Sequence, residues 1–246
     1  MTARTTLIAV ATALALTGCA SSRYDSASYT GRAGVSMPAI PGVLDDRSWH
    51  RGGAVEQAYD YDAIYAATYD GGFDVPAVDW RRIGRDHLRQ RVPFDRGYKP
   101  GTIVVDVASR HLYHVERGGT AMRYGIAVGR DGFGWGGSVH VGRKASWPKW
   151  FPPAEMIERK PELEEHRFGM EGGPDNPIGA RGLYLFRGGK DTLYRIHGTN
   201  QPYTIGSAAS SGCFRMLSQD VIHLHERVRV GAEVVVLQGS QGIAAL

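Results

Sequence analysis

From Gly101 onward, short apolar segments alternate with turn-forming residues, and this alternation restricts the chain to a β-rich fold. Residues 102–107 and 112–115 carry apolar side chains in alternation and flank a short turn, which is typical of a β-hairpin. The chain has 33 Gly and 12 Pro in 246 residues, which favours turns over long helices. With 42% hydrophobic residues it can bury a core, so wholesale disorder is excluded.

The same pattern continues towards the C-terminus. Further strands are predicted over residues 123–128, 183–186, 193–196 and 233–237. Ser218 is a suitable N-cap for a helix over residues 219–228. Residues 131–153 are dense in Gly and Trp and are predicted to be a loop, which either covers a site as a lid or packs on the sheet. The result is a mainly β domain with one or two helices over residues 99–240.

The N-terminus has the features of a secretory signal. Arg4 provides a positive start, and residues 7–16 are almost wholly apolar. Ten residues of helix reach about 15 Å, half of a ~30 Å hydrocarbon core, so this segment is not a spanning helix. It runs into Leu16-Thr17-Gly18-Cys19, which resembles the lipobox of bacterial lipoproteins. The alternative is an ordinary signal peptide with a cysteine near its cleavage site.

The resemblance to a lipobox implies that residues 1–18 are removed and that Cys19 carries a lipid, which places the protein at a membrane. It implies a periplasmic location, and because Ala20 follows the cysteine, the outer membrane rather than the inner one. Secretion argues against a nucleic-acid partner, despite a sequence pI of about 9.1 and a net charge of +4.

Two segments separate the predicted anchor from the sheet domain. Residues 19–53 are rich in Ser, Gly, Ala and Arg and are predicted to be a flexible tether. Residues 54–98 form an arm rich in aromatics and arginine, with a short helix near Tyr61 and an extended segment over 73–78. We expect the arm to lie on the main domain; contact of its aromatics with the cell wall is the alternative.

Residues 81–96 of this arm contain six arginines against two aspartates. A solvated helix face is the favoured interpretation of this run. Attraction to an anionic lipid or polymer is the other interpretation.

His197 and Cys213 are the two groups that nucleophilic acyl transfer needs at minimum. His197 ends an apolar strand, and Cys213 follows after small residues that let the chain turn back. A cysteine thiolate is the nucleophile in such chemistry, and a nearby histidine takes its proton. The backbone N–H groups of Gly212 and Cys213 are candidates for an oxyanion hole. An inert buried cysteine beside a core histidine is the alternative.

The surroundings of this pair are basic. Arg195 and Arg215 flank it, which suits a substrate rich in carboxylates. The sequence predicts neither a metal nor a cofactor. It has no Cys-x-x-Cys zinc spacing, and His223 and His225, two residues apart on the predicted helix, point to different faces.

The run His197-Gly198-Thr199-Asn200, followed by Ser210-Ser211-Gly212-Cys213-Phe214-Arg215-Met216, resembles the signature of the L,D-transpeptidase (YkuD-type) domain. Residues 99–106, 147–153 and 176–179 resemble further segments of that family. The resemblance covers about residues 95–240. It implies an L,D-transpeptidase-like β-sandwich or barrel as the catalytic domain.

The resemblance also implies a reaction in cell-wall biogenesis and the maintenance of cell shape. Cys213 would attack the carbonyl of the third residue of a peptidoglycan tetrapeptide stem and release D-Ala. An amine, usually on the meso-diaminopimelate of another stem, would then resolve the thioester into a 3→3 cross-link. The alternatives are an amine of an outer-membrane protein or water as acceptor, and a non-catalytic lipoprotein that only binds the wall.

The family implies a role for each residue of the motif. Cys213 is the nucleophile, His197 is the acid and base, and the Gly198 carbonyl orients the histidine. The residues implied in oxyanion or substrate binding are Thr199, Asn200, Ser211, Gly212 and Arg215. Many members have histidine where this chain has Ser211, so any contribution of that histidine is absent here.

Overall fold

A nine-stranded mixed sheet forms the body of the molecule in the computed structural model, which describes residues 59–129, 136–210 and 212–238. In spatial order its strands are β12 (Phe214–Arg215), β10 (Lys190–His197), β9 (Arg181–Arg187), β8 (Gly137–Ser146), β13 (Glu233–Leu237), β4 (Ile103–Asp106), β5 (His111–Val115), β6 (Thr120–Gly125) and β3 (Gln90–Pro93). The pairs β10–β12 and β13–β4 are parallel, and the other neighbours are antiparallel.

The sheet curls around its main apolar core, one of three buried apolar clusters in the described part of the chain. Side chains from β6 and from β12, near opposite ends of the strand order, belong to the same buried cluster, among them Tyr124 and Phe214. Ala127, just after β6, forms an antiparallel bridge with Arg215 in β12 and so brings the two ends together. A short parallel pair, β7 (Val128–Gly129) with β11 (Ala208–Ser210), extends this junction. The predicted mainly β fold is confirmed.

Two helices accompany the sheet. The helix α2 (Ala154–Arg159) lies in the connection between β8 and β9, and α3 (Ser218–Arg227) buries Val221 and Leu224 in the core. The helix prediction for 219–228 is confirmed, but the predicted cap is wrong: Leu217 is the N-cap, while the Ser218 hydroxyl donates to the Thr199 carbonyl. Within the described ranges, every helix is too short or too polar to cross a bilayer.

Four of the strand predictions are confirmed, and their strands are mostly buried. The predictions for 102–107, 112–115, 183–186 and 233–237 correspond to β4, β5, β9 and β13. The prediction for 123–128 is displaced, because β6 ends at Gly125 and β7 begins at Val128. The 193–196 strand is longer than predicted, since β10 starts at Lys190, and it contains a bulge.

The loop prediction for 131–153 is wrong for residues 137–146, and residues 131–135 lie outside the described residues. Residues 137–146 form β8, the longest strand of the described sheet. Only Val139 and Val141 of this strand point into the core, and its other residues are Gly, Ser, Ala or basic. A strand with two apolar positions and a register shift has too weak an alternation to be recognised from sequence.

The arginine-rich run at 81–96 does not form the predicted helix face. It contains parts of two 3₁₀ turns, Trp80–Arg82 and Arg85–His87, and the edge strand β3, which pairs with β6. On that edge Arg91 pairs with Glu116 at 2.6 Å. Pairing with β6 stabilises the extended backbone here, so tertiary contact overrides the local pattern.

The preceding residues of the arm pack against the sheet domain. They form α1 (Tyr61–Ile64) and a hairpin of β1 (Thr68–Asp70) and β2 (Phe73–Val75). Tyr61 and Tyr65 are buried in a cluster with Leu217 of the main domain. The Tyr65 hydroxyl donates to buried Asp220 at 3.2 Å and accepts the Arg89 N–H at 2.8 Å.

Candidate active site

The register of two strands places the predicted catalytic pair on one face of the sheet. In the parallel pair β10–β12, Ile196 lies opposite Phe214 and His197 opposite Arg215. Ile196 and Phe214 point into the core. Because side chains alternate along a strand, His197 and the two neighbours of Phe214, Cys213 and Arg215, point to the opposite face.

His197 is buried and its ring is oriented by the main chain. Its side chain is 5% exposed, and Nδ1 lies 2.6 Å from the carbonyl oxygen of Gly198. A carbonyl oxygen can only accept, so Nδ1 carries the hydrogen and the neutral ring presents Nε2 as a base. Burial lowers the pKa of His197 to about 4; the charges of Arg215 and Arg195 add to this effect, and the Gly198 hydrogen bond opposes it. The imidazole is therefore neutral near pH 7.

Cys213 is half-buried directly before β12, with its Sγ 3.9 Å from the carbonyl oxygen of Leu193. Burial raises the pKa of the Cys213 thiol, although Arg195 and Arg215 oppose this shift. At rest both groups are therefore neutral, Cys213 as a thiol and His197 as an imidazole. The thiol proton must leave the sulfur as the sulfur attacks, and His197 Nε2 can accept this proton as a general base.

The backbone at position 212 has a conformation that glycine adopts more readily than other residues. Its φ is +120°, and an added Cβ would also lie 3.5 Å from the ring of Tyr194. A side chain at this position would be strained whatever the space around it. The peptide preceding the nucleophile can therefore approach a substrate carbonyl closely, with N–H groups as donors.

The other predicted site residues form hydrogen bonds within the surrounding loops or lie outside the residues that the structure describes. Arg215 is half-buried, and its Nη1 donates to Gln201 Oε1 at 3.4 Å. Thr199 is buried, and its Oγ1 accepts the Gln201 N–H at 3.0 Å. Asn200 Nδ2 donates to the Asp175 carbonyl at 2.7 Å. Ser211 and Cys19 are outside the described residues.

Comparison with known proteins identifies the family. The family model of YkuD, the L,D-transpeptidase catalytic domain, matches residues 100–236. The chain belongs to this family. The probable L,D-transpeptidase YbiS of Escherichia coli K12 is 36% identical over 138 residues, which are 54% of this chain and 43% of YbiS. The probable L,D-transpeptidase ErfK/SrfK of Salmonella typhimurium is 35% identical over 141 residues, 55% of this chain and 43% of that protein.

Solved structures are also similar. One from Brucella melitensis, described as a probable carnitine operon oxidoreductase, is 53% identical with a TM-score of 0.44 and covers 65% of this chain and 99% of its own. An L,D-transpeptidase of Enterococcus faecium is 18% identical with a TM-score of 0.40, over 56% and 50% of the two chains. This chain spans less than half the length of YbiS and ErfK/SrfK.

One asparagine of this L,D-transpeptidase-family domain organises the loops behind the histidine, a role that no sequence spacing indicates. Asn176 is fully buried, and its Nδ2 lies within 3.2 Å of the carbonyl oxygens of Pro148, Met170 and Glu171. Its Oδ1 accepts the Ile178 N–H at 2.8 Å. One side chain thus joins the two ends of the connection between β8 and β9.

The loop that follows packs directly on the histidine motif. Gly179 has φ +66°, and an added Cβ would lie 2.7 Å from the Thr199 nitrogen. This close approach explains the glycine in the run at 176–179.

A second unpredicted contribution comes from the arm. The Arg181 carbonyl accepts the Gly198 N–H at 3.1 Å, beside the carbonyl that orients His197. The Arg181 guanidinium forms two hydrogen bonds of 2.6 Å with Asp70 at the end of β1. Trp147 Nε1 donates to the same carboxylate at 2.8 Å. Trp147 therefore packs on the arm, a contact that neither interpretation of the Trp-rich segment, a lid or packing on the sheet, included.

A bulge in β10 forms the wall next to the thiol. Leu193 has φ +64°, an unusual backbone for leucine, and its side chain is 76% exposed. Asp191 Oδ1 accepts the Leu193 N–H at 2.8 Å and stabilises the bulge. The bulge aims the Leu193 carbonyl at the Cys213 sulfur.

Proposed function

We propose that this protein is a peptidoglycan L,D-transpeptidase in which Cys213 is the nucleophile and His197 the acid and base. Membership of the L,D-transpeptidase catalytic domain family supports the reaction class. The observation that carries the assignment of roles is the shared sheet face of Cys213 and His197, with His197 Nδ1 bound to the Gly198 carbonyl. That hydrogen bond leaves Nε2 to exchange a proton.

In the first half-reaction the sulfur attacks the carbonyl of the third residue of a tetrapeptide stem, and the thiol proton passes to His197 Nε2. The oxyanion of the tetrahedral intermediate accepts hydrogen bonds from the backbone N–H groups of Gly212 and Cys213. Collapse breaks the peptide bond, His197 protonates the leaving D-Ala amine, and a thioester remains on Cys213.

In the second half-reaction His197 accepts a proton from an incoming amine as the amine attacks the thioester. The C–S bond then breaks, and His197 returns the proton to the sulfur, which restores the thiol. The diaminopimelate amine of another stem as acceptor gives the 3→3 cross-link. A protein amine would instead attach an outer-membrane protein to the wall, and water would give a tripeptide.

Intact-mass spectrometry tests the enzymatic proposal. We expect the protein to form a covalent adduct when it meets a carbapenem or tetrapeptide muropeptides, and the Cys213→Ala variant to form none. His197→Gln should slow adduct formation by about 10²- to 10⁴-fold. Wild-type protein that forms no adduct with either reagent would leave only the non-catalytic wall-binding alternative. The muropeptides released after longer incubation identify the acceptor.

We further propose that the mature protein begins at a lipidated Cys19 and resides in the periplasm at the outer membrane. The segment Leu16-Thr17-Gly18-Cys19 after an apolar run supports this proposal. Metabolic labelling with a radioactive fatty acid should label the wild-type protein and not the Cys19→Ala variant. Equal labelling of both proteins, or of neither, would contradict the anchor, and membrane fractionation then checks the location.

A further inference from the structure

A row of side chains crosses the sheet face that carries the thiol. The antiparallel registers place Arg143 of β8 opposite Tyr184 of β9, and Tyr184 opposite Arg195 of β10. The parallel register of β10 with β12 extends the row to Cys213, one residue before β12. Four neighbouring segments therefore contribute one side chain each to a line that ends at the nucleophile.

The aromatic ring in the middle of this row holds both guanidinium groups. The Cζ atom of Arg143 lies 3.5 Å from the centre of the Tyr184 ring, and that of Arg195 lies 4.4 Å from it. A guanidinium stacked on an aromatic ring keeps its N–H edge available for a carboxylate, which it can bind through two parallel hydrogen bonds. Stacking also restricts the long side chain before a ligand arrives.

The two arginines differ in how their charges are compensated. Arg195 binds Asp191 through two hydrogen bonds of 2.7 and 2.9 Å. Arg143 is exposed and has no ion-pair partner within 4.0 Å among the residues that the structure describes. The charge of Arg143 helps to lower the pKa of Asp191, but without a direct ion pair its guanidinium is the more available of the two for a ligand.

The separation along the row matches the length of a short peptide. Three strand spacings between the backbone at 143 and that at 213 correspond to about 14 Å. Arg143 leans over Tyr184 on the next strand, which brings its guanidinium to about 10 Å from the thiol. An extended peptide covers this distance with about three residues.

We propose that Arg143, stacked on Tyr184, binds a carboxylate of the donor stem peptide that lies about 10 Å from the carbonyl that Cys213 attacks. The proposal rests on the peptidoglycan function proposed above for its ligand, a peptide with free carboxylates. Arg143 makes no contact with the reacting atoms, so it determines substrate affinity rather than the rate of the chemical step.

Equilibrium binding tests the site without turnover. The tetrapeptide stem is titrated into Cys213→Ala protein, with and without the additional substitution Arg143→Gln, and affinity is measured by calorimetry. We expect five- to tenfold weaker binding to the double variant, and less of this difference at high salt. Arg117→Gln in the same background is the matched control, because Arg117 is an exposed arginine in the turn between β5 and β6 and removes the same charge.

A second titration series identifies the carboxylate. Stem peptides with one carboxylate converted to an amide at a time are bound to both proteins. Amidation of the correct carboxylate should weaken binding to the Cys213→Ala protein to the level of the double variant, and should not weaken the double variant further. Amidation of the other carboxylates should leave the difference in peptide affinity between the Cys213→Ala protein and the double variant unchanged.

Kinetics then separate this proposal from the proposed function. With wild-type Cys213, Arg143→Gln should raise KM for the stem five- to tenfold and leave kcat within twofold. If the wild-type enzyme shows no turnover, the proposed function is overturned. The difference in stem-peptide affinity with and without Arg143→Gln still tests the carboxylate site in that case. Equal affinity with and without Arg143→Gln, or the same loss for Arg117→Gln, overturns the carboxylate site.

Discussion

Two aspartates of the arm each bind one tryptophan and one arginine, yet the two clusters lie in different surroundings. In the first, Asp62 of α1 accepts hydrogen bonds from Trp80 Nε1 at 2.9 Å and from Arg81 Nη2 at 3.1 Å. Both charged side chains are more than 60% exposed. All three residues belong to the arm, and water competes for each of their hydrogen bonds.

In the second cluster, Asp70 accepts from Trp147 and Arg181, which lie 77 and 111 residues further along the chain. The side chains of Arg181 and Asp70 are 9% and 19% exposed. The ring of Phe73 packs against Trp147, with centres 4.7 Å apart, and covers the group. This cluster joins the arm to the strand whose carbonyl holds Gly198.

The comparison shows that an Asp–Trp–Arg cluster contributes differently to stability when it is buried and when it is exposed to solvent. An exposed ion pair contributes little, because water and salt screen it and long side chains lose entropy in forming it. A buried pair is costly to break, since the remaining charge is left without its partner. We therefore expect only the Asp70 cluster to influence stability and the active site.

The largest effect is expected from Asp70→Asn. The substitution leaves the Arg181 guanidinium largely buried without a carboxylate, so the free energy of unfolding should fall by about 2–3 kcal/mol. The rate of carbapenem acylation at Cys213 should fall about tenfold, because the Arg181–Gly198 contact loosens. Urea unfolding and intact-mass kinetics measure the two changes. Unchanged stability would show that the buried cluster is no stronger than the exposed one.

The pH dependence of stability should separate the wild-type protein from Asp70→Asn. Hydrogen bonds from Arg181 lower the pKa of Asp70, with burial opposing and Trp147 adding to them. A lowered pKa in the folded state contributes stability above the unfolded value of about 3.9, and this contribution is lost as the pH falls through the folded value. The difference in urea midpoint between the two proteins should narrow below about pH 4. A constant difference down to pH 2 would contradict the ionic contribution.

A smaller effect is expected from Trp147→Phe. The substitution keeps an aromatic ring against Phe73 but removes the indole donor to Asp70. The loss should be about 1 kcal/mol in the free energy of unfolding. Trp80→Phe is the matched control, and urea titration should give it a clearly smaller change. An equal loss in both variants would argue that ring packing, and not the hydrogen bond to a buried carboxylate, is responsible.

The smallest effect is expected from Asp62→Asn. This cluster is exposed to solvent, so the urea midpoint should stay at the wild-type value and acylation should proceed at the wild-type rate. A decrease comparable with that of Asp70→Asn would remove the distinction between the two clusters.

The sequence predictions succeed where a short local pattern specifies the structure, and they fail where a distant part of the chain specifies it. The strands β4 and β13 contain consecutive buried apolar residues, and β5 is buried throughout directly after a turn, so the local pattern suffices to predict them. The sequence does not predict β8, because only two of its side chains are apolar and point inward. It does not predict β3 either, because the extended conformation of this segment depends on its pairing with β6. The family resemblance implied the Gly198 carbonyl as the partner of His197, and it lies 2.6 Å from Nδ1.

Short apolar segments between turns and a contiguous His–Cys motif are local features, so the strand-rich class and the likeness to the L,D-transpeptidase family are readable from the amino-acid sequence. Three contacts required the folded chain: Asp70 with Arg181, Asn176 with three carbonyl oxygens, and the row that leads from Arg143 to Cys213. Each of these contacts depends on strand register and chain return over many residues. Hydrophobic alternation specifies which face of a strand is buried, but not which distant side chain lies opposite.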